Sequence, residues 1–115
     1  MNKTKLMILD TVIVVQYYKT DILVFRFNEI DEQLEIVFDT GGWMTRTTRR
    51  RMKSILYKLT GIELDIDVID DVTWLIRIGF KRLTATQPVS VTVDCTAVDW
   101  KYVVDRAKGL GAVER

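Results

Sequence analysis

Residues 48–80 read TRRRMKSILYKLTGIELDIDVIDDVTWLIRIGF, and two different periods meet inside them. In 48–59 the apolar residues Met52, Ile55, Leu56 and Leu59 recur at helical spacing, which puts them on one face. Thr45 or Thr47 can cap the start by accepting a hydrogen bond from a free backbone N–H. Gly61 stands where a left-handed stop residue is expected. The spacing predicts a helix of about three turns. Period two then takes over. Ile62, Leu64, Ile66 and Val68 alternate with Glu63, Asp65 and Asp67, a half-buried strand. Asp70 and Asp71 suit a turn, and 72–80 alternates again through Val72, Trp74, Ile76, Ile78 and Phe80.

Upstream, 11–18 (TVIVVQYY) and 22–27 (ILVFRF) are rich in β-branched and aromatic residues, and the short link 19–21 reads as a hairpin turn. Both are apolar on both faces, as central strands are. A third strand is expected at 34–38 after an acidic loop at 28–33. Downstream, 81–88 reads as a loop ending at the only proline, and Val89, Val91 and Val93 form a short strand. Asp94 or Thr96 is the expected cap of a C-terminal helix, with Asp99 completing a weak capping box. Val98, Tyr102 and Val103 would line its buried face, and Gly109 and Gly111 would end it. The predicted order is βββ-α-βββ-α. This is an α+β fold of antiparallel sheet with two helices packed on it. At 115 residues, with no internal linker, residues 1–115 are expected to form a single globular domain.

Composition narrows the function classes. With 17 Lys+Arg against 16 Asp+Glu the chain is neither a uniformly basic nucleic-acid coat nor a uniformly acidic mimic. It has no histidine, hence no usual general base and none of the commonest metal ligand. Its one cysteine, Cys95, makes no internal disulfide and no multi-cysteine metal site, and suits a small buried residue. Asp65, Asp67, Asp70 and Asp71 could hold Mg²⁺ or Ca²⁺, but Asp65 and Asp67 lie on the outer face of a strand, where solvation explains them, and no metal is expected. No cofactor and no enzymatic activity are expected. The apolar run 6–9 is too short for a signal-peptide core, and no stretch approaches the ~20 apolar residues that span a bilayer. A cytoplasmic, reduced setting without membrane contact follows as the expectation.

The charges are segregated. Residues 45–58 hold six cations (Arg46, Arg49, Arg50, Arg51, Lys53, Lys58) and no acid, while 29–39 and 63–71 hold five carboxylates each. The basic block opens a helix behind Gly41-Gly42-Trp43-Met44-Thr45-Arg46-Thr47-Thr48. Each part has a use in gripping phosphate. Gly41 and Gly42 permit positive φ and close backbone approach. First-turn N–H groups and the helix dipole favour an anion. Thr45, Thr47 and Thr48 offer hydroxyl donors. Arg46, Arg49, Arg50 and Arg51 offer two-point forks, and Trp43 offers a stacking face. Arg50, Lys53, Ser54 and Tyr57 lie opposite the apolar stripe, so that face is expected to be exposed and basic. The same residues also have purely structural uses: a tight strand-to-helix turn, a tryptophan at the core edge, capping threonines, and arginines paired with the acidic strand at 63–67.

The run Gly41-Gly42-Trp43-x-Thr45-x-Thr47-Thr48-x-Arg50-Arg51-Met52 resembles a motif of short, uncharacterised bacteriophage-encoded proteins, Gly-Gly-aromatic-x-Thr-x-Thr-Thr-x-x-Arg-Met/Ile, often followed by Asn, where this chain has Lys53. The resemblance covers about a tenth of the chain. It implies a phage origin and a life in the host cytoplasm. It also implies action by binding: nucleic acid or a nucleotide, or a host protein as an anti-defence or host-takeover inhibitor. Strands apolar on both faces need more cover than two helices supply, which leaves room for a homodimer.

Overall fold

Four consecutive antiparallel strands open the chain in the computed structural model: β1 (Thr4–Leu9), β2 (Val12–Tyr17), β3 (Thr20–Asn28) and β4 (Gln33–Asp39). The model describes residues 3–41, 45–86, 90–95 and 99–115, with 90–95 by backbone alone. Helix α1 (Arg46–Thr60) follows, then β5 (Leu64–Asp70), β6 (Thr73–Ile78), β7 (Lys81–Thr86), β8 (Ser90–Cys95), helix α2 (Trp100–Gly109) and the short β9 (Val113–Glu114). One sheet has the order β8-β4-β3-β2-β1-β9, and the other β5-β6-β7. The pairs between sequence neighbours are antiparallel, and β9 joins β1 in parallel. The α+β class holds, and β2 and β3 are central as their two-sided apolar pattern requires.

The order βββ-α-βββ-α needs correction to ββββ-α-ββββ-α-β among the described residues. β1 lies in the run 6–9, where Leu6 and Ile8 face the core while Met7 and Leu9 face away. All four are apolar, so no alternation betrays the strand. Pairing with β2 creates it, with Leu6 opposite Val15 and Ile8 opposite Ile13. β7 occupies most of the expected loop 81–88. It is an edge strand in which only Ala85 is fully buried, too polar to register as a strand from pattern. At α2 the N-cap is Asp99, whose carboxylate accepts from the N–H groups of Lys101 and Tyr102, and Asp94 instead belongs to β8. Tyr102 is exposed, and Val103 and Ala107 form the buried face. Thr96 and Val98 lie outside the described residues, as does Val89.

Helix α1 follows its sequence signals closely. It runs one to two residues beyond 48–59 at each end, capped by Thr45 and stopped by Gly61 at φ 74. Met52, Leu56 and Leu59 are fully buried. They join the inner face of the six-stranded sheet (Leu6, Ile13, Val15, Phe25, Ile36, Phe38), the α2 stripe (Val103, Ala107) and the inward residues of the small sheet (Leu64, Trp74, Ile76, Ile78) in one continuous core. Burial of each such side chain contributes roughly 1.5–3 kcal/mol. The molecule measures 37 × 34 × 19 Å. Its thin dimension fits one sheet and one covering layer about 10 Å apart. Trp100 is half-buried and stacks on Phe27, ring centroids 5.5 Å apart. Among the described residues no helix is long and apolar enough to cross a membrane.

Candidate functional site

The start of α1 is built by threonines. Thr45 has extended backbone (φ −92, ψ 158), and its Oγ1 accepts from the Thr48 N–H at 3.2 Å. The two hydroxyls of Thr45 and Thr48 also share a hydrogen bond of 3.0 Å. Thr48 is only 2% exposed. Of the three hydroxyls considered for a ligand, Thr48 is therefore spent on structure, Thr45 is partly spent on the cap, and Thr47 faces water. The first intrahelical bond runs from the Arg49 N–H to the Thr45 carbonyl, 3.1 Å. The N–H groups of Arg46 and Thr47 thus have no partner within the helix, and no acidic side chain stands in the first turn.

The arginines divide into two sets. Arg46 and Arg50 are exposed, and among the described residues neither forms an ion pair. Arg49 and Arg51 flank the apolar stripe and turn inward onto aromatic rings. The Arg49 guanidinium lies 6.0 Å from the centroid of Trp74, and that of Arg51 lies 4.4 Å from that of Tyr17. Arg51 also donates from Nη1 to Thr4 Oγ1 at 2.9 Å. A ring face attracts a cation by its quadrupole, worth ~0.5–2 kcal/mol. Lys53 meets the Asp65 carboxylate at 3.3 Å, with both partners well exposed. Such a pair contributes ~0–1 kcal/mol and is easily exchanged for another anion. Ser54 and Tyr57 are exposed on this face as their spacing predicts.

Three hollows surround these residues. The largest, about 530 Å³, lies between the β2–β3 turn and the start of α1, with Tyr17, Tyr18, Lys19, Thr40 and Thr47 in its wall. A second, about 400 Å³, is lined by Thr4, Thr47, Arg50, Arg51, Ser54 and Lys58 among others. A third, about 210 Å³, is lined by Arg46, Arg49, Arg50, Lys53, Asp65 and Ile66. Thr47 lines the first two and Arg50 the last two, so neighbouring hollows share wall residues, and the second runs along the helix as far as Lys58. Sequence reading missed the wall formed by Tyr17, Tyr18, Lys19 and Thr40. Tyr18 sits at φ 56, an uncommon conformation for an aromatic residue, with its ring exposed and 4.6 Å from Tyr17 in an edge contact. Two adjacent tyrosines at a hairpin tip were the available signal.

Gly41 joins the two parts of the site. Its φ is +59, its N–H donates to Asp39 Oδ1 at 2.8 Å, and a Cβ there would stand 2.6 Å from Thr20 Oγ1 and 2.7 Å from Thr20 Cγ2. The close approach that glycine permits here is to the β2–β3 turn. Gly41→Ala meets both a left-handed φ and Thr20. It is expected to destabilise the fold by at least ~1–2 kcal/mol, read as a lower urea midpoint. Gly42 and Trp43 lie outside the described residues, so the expected stacking face of Trp43 does too.

The acidic residues lead elsewhere. Asp65 pairs with Lys53, and Asp67 pairs with Arg77 at 2.8 Å. Asp70 accepts from the Val72 N–H within its turn, and that bond holds its carboxyl below the ordinary value. Among the described residues no three metal-ligating side chains converge. Compared with known proteins, the chain matches no family model, no curated protein and no solved structure.

Proposed function

We propose that this chain is a small phage-type binding protein that recognises a phosphate-bearing ligand, nucleic acid or nucleotide, along the track around the start of α1. One observation carries this reading: of three neighbouring hollows the first two share Thr47 and the last two share Arg50, with an exposed tyrosine at one end and cations along the rest. In this reading a base or sugar lies against Tyr18 in the largest hollow. A phosphate meets Arg50, Lys58 and the Thr47 hydroxyl in the next. Arg46 and Lys53 continue the path for a further phosphate. Aromatic platforms beside a basic groove suit single strands, since every base has a face to stack. The exposed guanidinium forks of Arg46 and Arg50 supply the affinity. The role is binding without turnover.

The test is fluorescence anisotropy of labelled single-stranded DNA and RNA, alongside calorimetry with nucleotides, across a range of salt. Arg50→Ala is expected to weaken oligonucleotide binding and flatten the log–log salt slope by about one unit. Salt-independent affinity, or no binding to any of these ligands, overturns the reading.

A second reading rests on a different surface. Val68, Ile69 and Val72 are exposed together at the β5–β6 turn, beside the carboxylates Asp65 and Asp67, and Phe80 is fully exposed at the next turn. An apolar tip with acidic flanks suits a basic protein partner reached by electrostatic steering, as an anti-defence or host-takeover inhibitor would use. Capture from host extract separates the two readings. Nuclease treatment abolishes the first kind of capture and leaves the second.

A further inference from the structure

We infer that the outer face of the six-stranded sheet is the docking surface for a second copy of this chain. Across four strands the register aligns Met7 with Val14, Val14 with Val24, and Val24 with Val37. At the sheet edge Val113 of β9 pairs with Met7 and extends the row. Leu9 and Val12 lie beside it. None of these residues belongs to the continuous core cluster on the opposite face, and Val14 is itself buried among its neighbours on this one. The outer face of the small sheet shows what the chain does where water is the intended neighbour. There the alternate positions are Asp65, Asp67, Arg77, Arg82 and Thr84, with Leu75 at the centre among them. A solvated antiparallel sheet normally presents polar residues in this way. The apolar row departs from that rule from β9 through β4 and ends at β8, where Thr92 stands opposite Val37.

The charges around the row say what covers it. On one side lie Lys5 on β1, Gln16 on β2, then Asp21 on β3 and Asp39 on β4. A bulge opposite Gln16 sends Ile22 inward with Leu23 and leaves Asp21 on the outer face. The row is thus basic at the β1 end and acidic at the β3–β4 end. A two-fold axis running between β2 and β3, along the strands, lays one copy's β1 over the other's β4. Lys5 then meets the acidic end of its partner, twice by symmetry, and Val14 meets Val24. On the other side of the row Arg26 and Glu35 already pair with each other at 3.1 Å, and Asp94 of β8 stands opposite Glu35 in the register. Five strands about 4.8 Å apart and about 20 Å long, with the two-residue β9 beside them, present roughly 500 Å² each. Two such faces bury roughly 1,000 Å², the lower bound for a specific interface. Aligned face-to-face packing of this kind makes a β-sandwich across the dimer.

Light scattering on the eluting full-length protein, with sedimentation equilibrium for the dissociation constant, decides the matter. The expected particle is twice the 13.4 kDa chain mass, with a dissociation constant on the order of micromolar. Val24→Glu is expected to give single chains with an unchanged far-UV spectrum. Lys5→Glu is expected to weaken the dimer roughly tenfold, and adding Asp21→Lys to recover most of that loss. Asp21 serves for the rescue because the Asp39 carboxylate holds the turn at Gly41. A wild-type chain that remains single at about 100 μM, or a Val24→Glu variant that still pairs at the wild-type constant, overturns the inference.

Discussion

Replacing Trp74 with alanine is expected to lower the unfolding free energy by about 3–5 kcal/mol. Trp74 is 1% exposed and among the largest fully buried side chains. It stands on the central strand of the small sheet, across from Val68 on one side and Ala85 on the other. Its ring does two things. It fills the space between that sheet and α1 within the common core, and it supports the Arg49 guanidinium. Alanine leaves a cavity under α1 and removes the surface on which a charge lies over the core edge. Domains of this size are stable by about 5–15 kcal/mol, so the loss is a large share of the whole. Urea unfolding followed by far-UV dichroism reads it directly. Trp74→Phe is expected to recover most of the loss, since the ring face remains. A loss below about 1 kcal/mol would mean that the small sheet does not share a core with the rest of the chain.

That single core explains which elements were legible in the sequence. Where one face of an element is wet, its period shows: Met52, Leu56 and Leu59 announced α1, and Leu64 and Ile66 announced β5. Where both faces are apolar the period vanishes, as in β1, and only the partner strand reveals it. β7 fails for the opposite reason, because an edge strand with one fully buried residue carries too little pattern. The cap of α2 was expected at Asp94 or Thr96, and the structure places it at Asp99. The pairing of Glu35 with Asp94 draws Asp94 into β8, a contact 59 residues away in the chain that no local rule contains.

The candidate site divides along the same line. Its charges were legible because Arg46, Arg50 and Lys53 are neighbours on one helix. Its aromatic wall was not, because Tyr17 and Tyr18 meet α1 only through tertiary packing. The split among the arginines was partly foreseeable. At about 100° per residue, Arg49 and Arg51 fall about 60° and 100° to either side of Met52, at the margins of the buried stripe. What the sequence did not contain was an aromatic ring waiting at each margin. The consequence is a helix that places two guanidinium groups over rings and two in water, with Lys53 paired to Asp65.

The two in water bear the strongest test of function. The double change Arg46→Glu and Arg50→Glu is expected to weaken binding of phosphate-bearing ligands by about 100-fold or more. A charge-assisted hydrogen bond to phosphate is worth ~1.5–3 kcal/mol. Reversal removes two such partners and adds repulsion, and each ~1.4 kcal/mol is a factor of ten. The fold should not change, because both side chains are exposed and unpaired among the described residues. Net charge does change, by four units, and long-range steering changes with it. The control is therefore Arg82→Glu with Lys101→Glu, which makes the same change at exposed positions that line none of the three hollows. If the track is the site, the first double variant loses far more affinity than the second, and the gap narrows as salt rises. Equal losses would show that the ligand responds to the overall charge of the protein and to no particular groove. Unchanged affinity in the first variant would remove Arg46 and Arg50 from any binding role, and the phosphate reading with them.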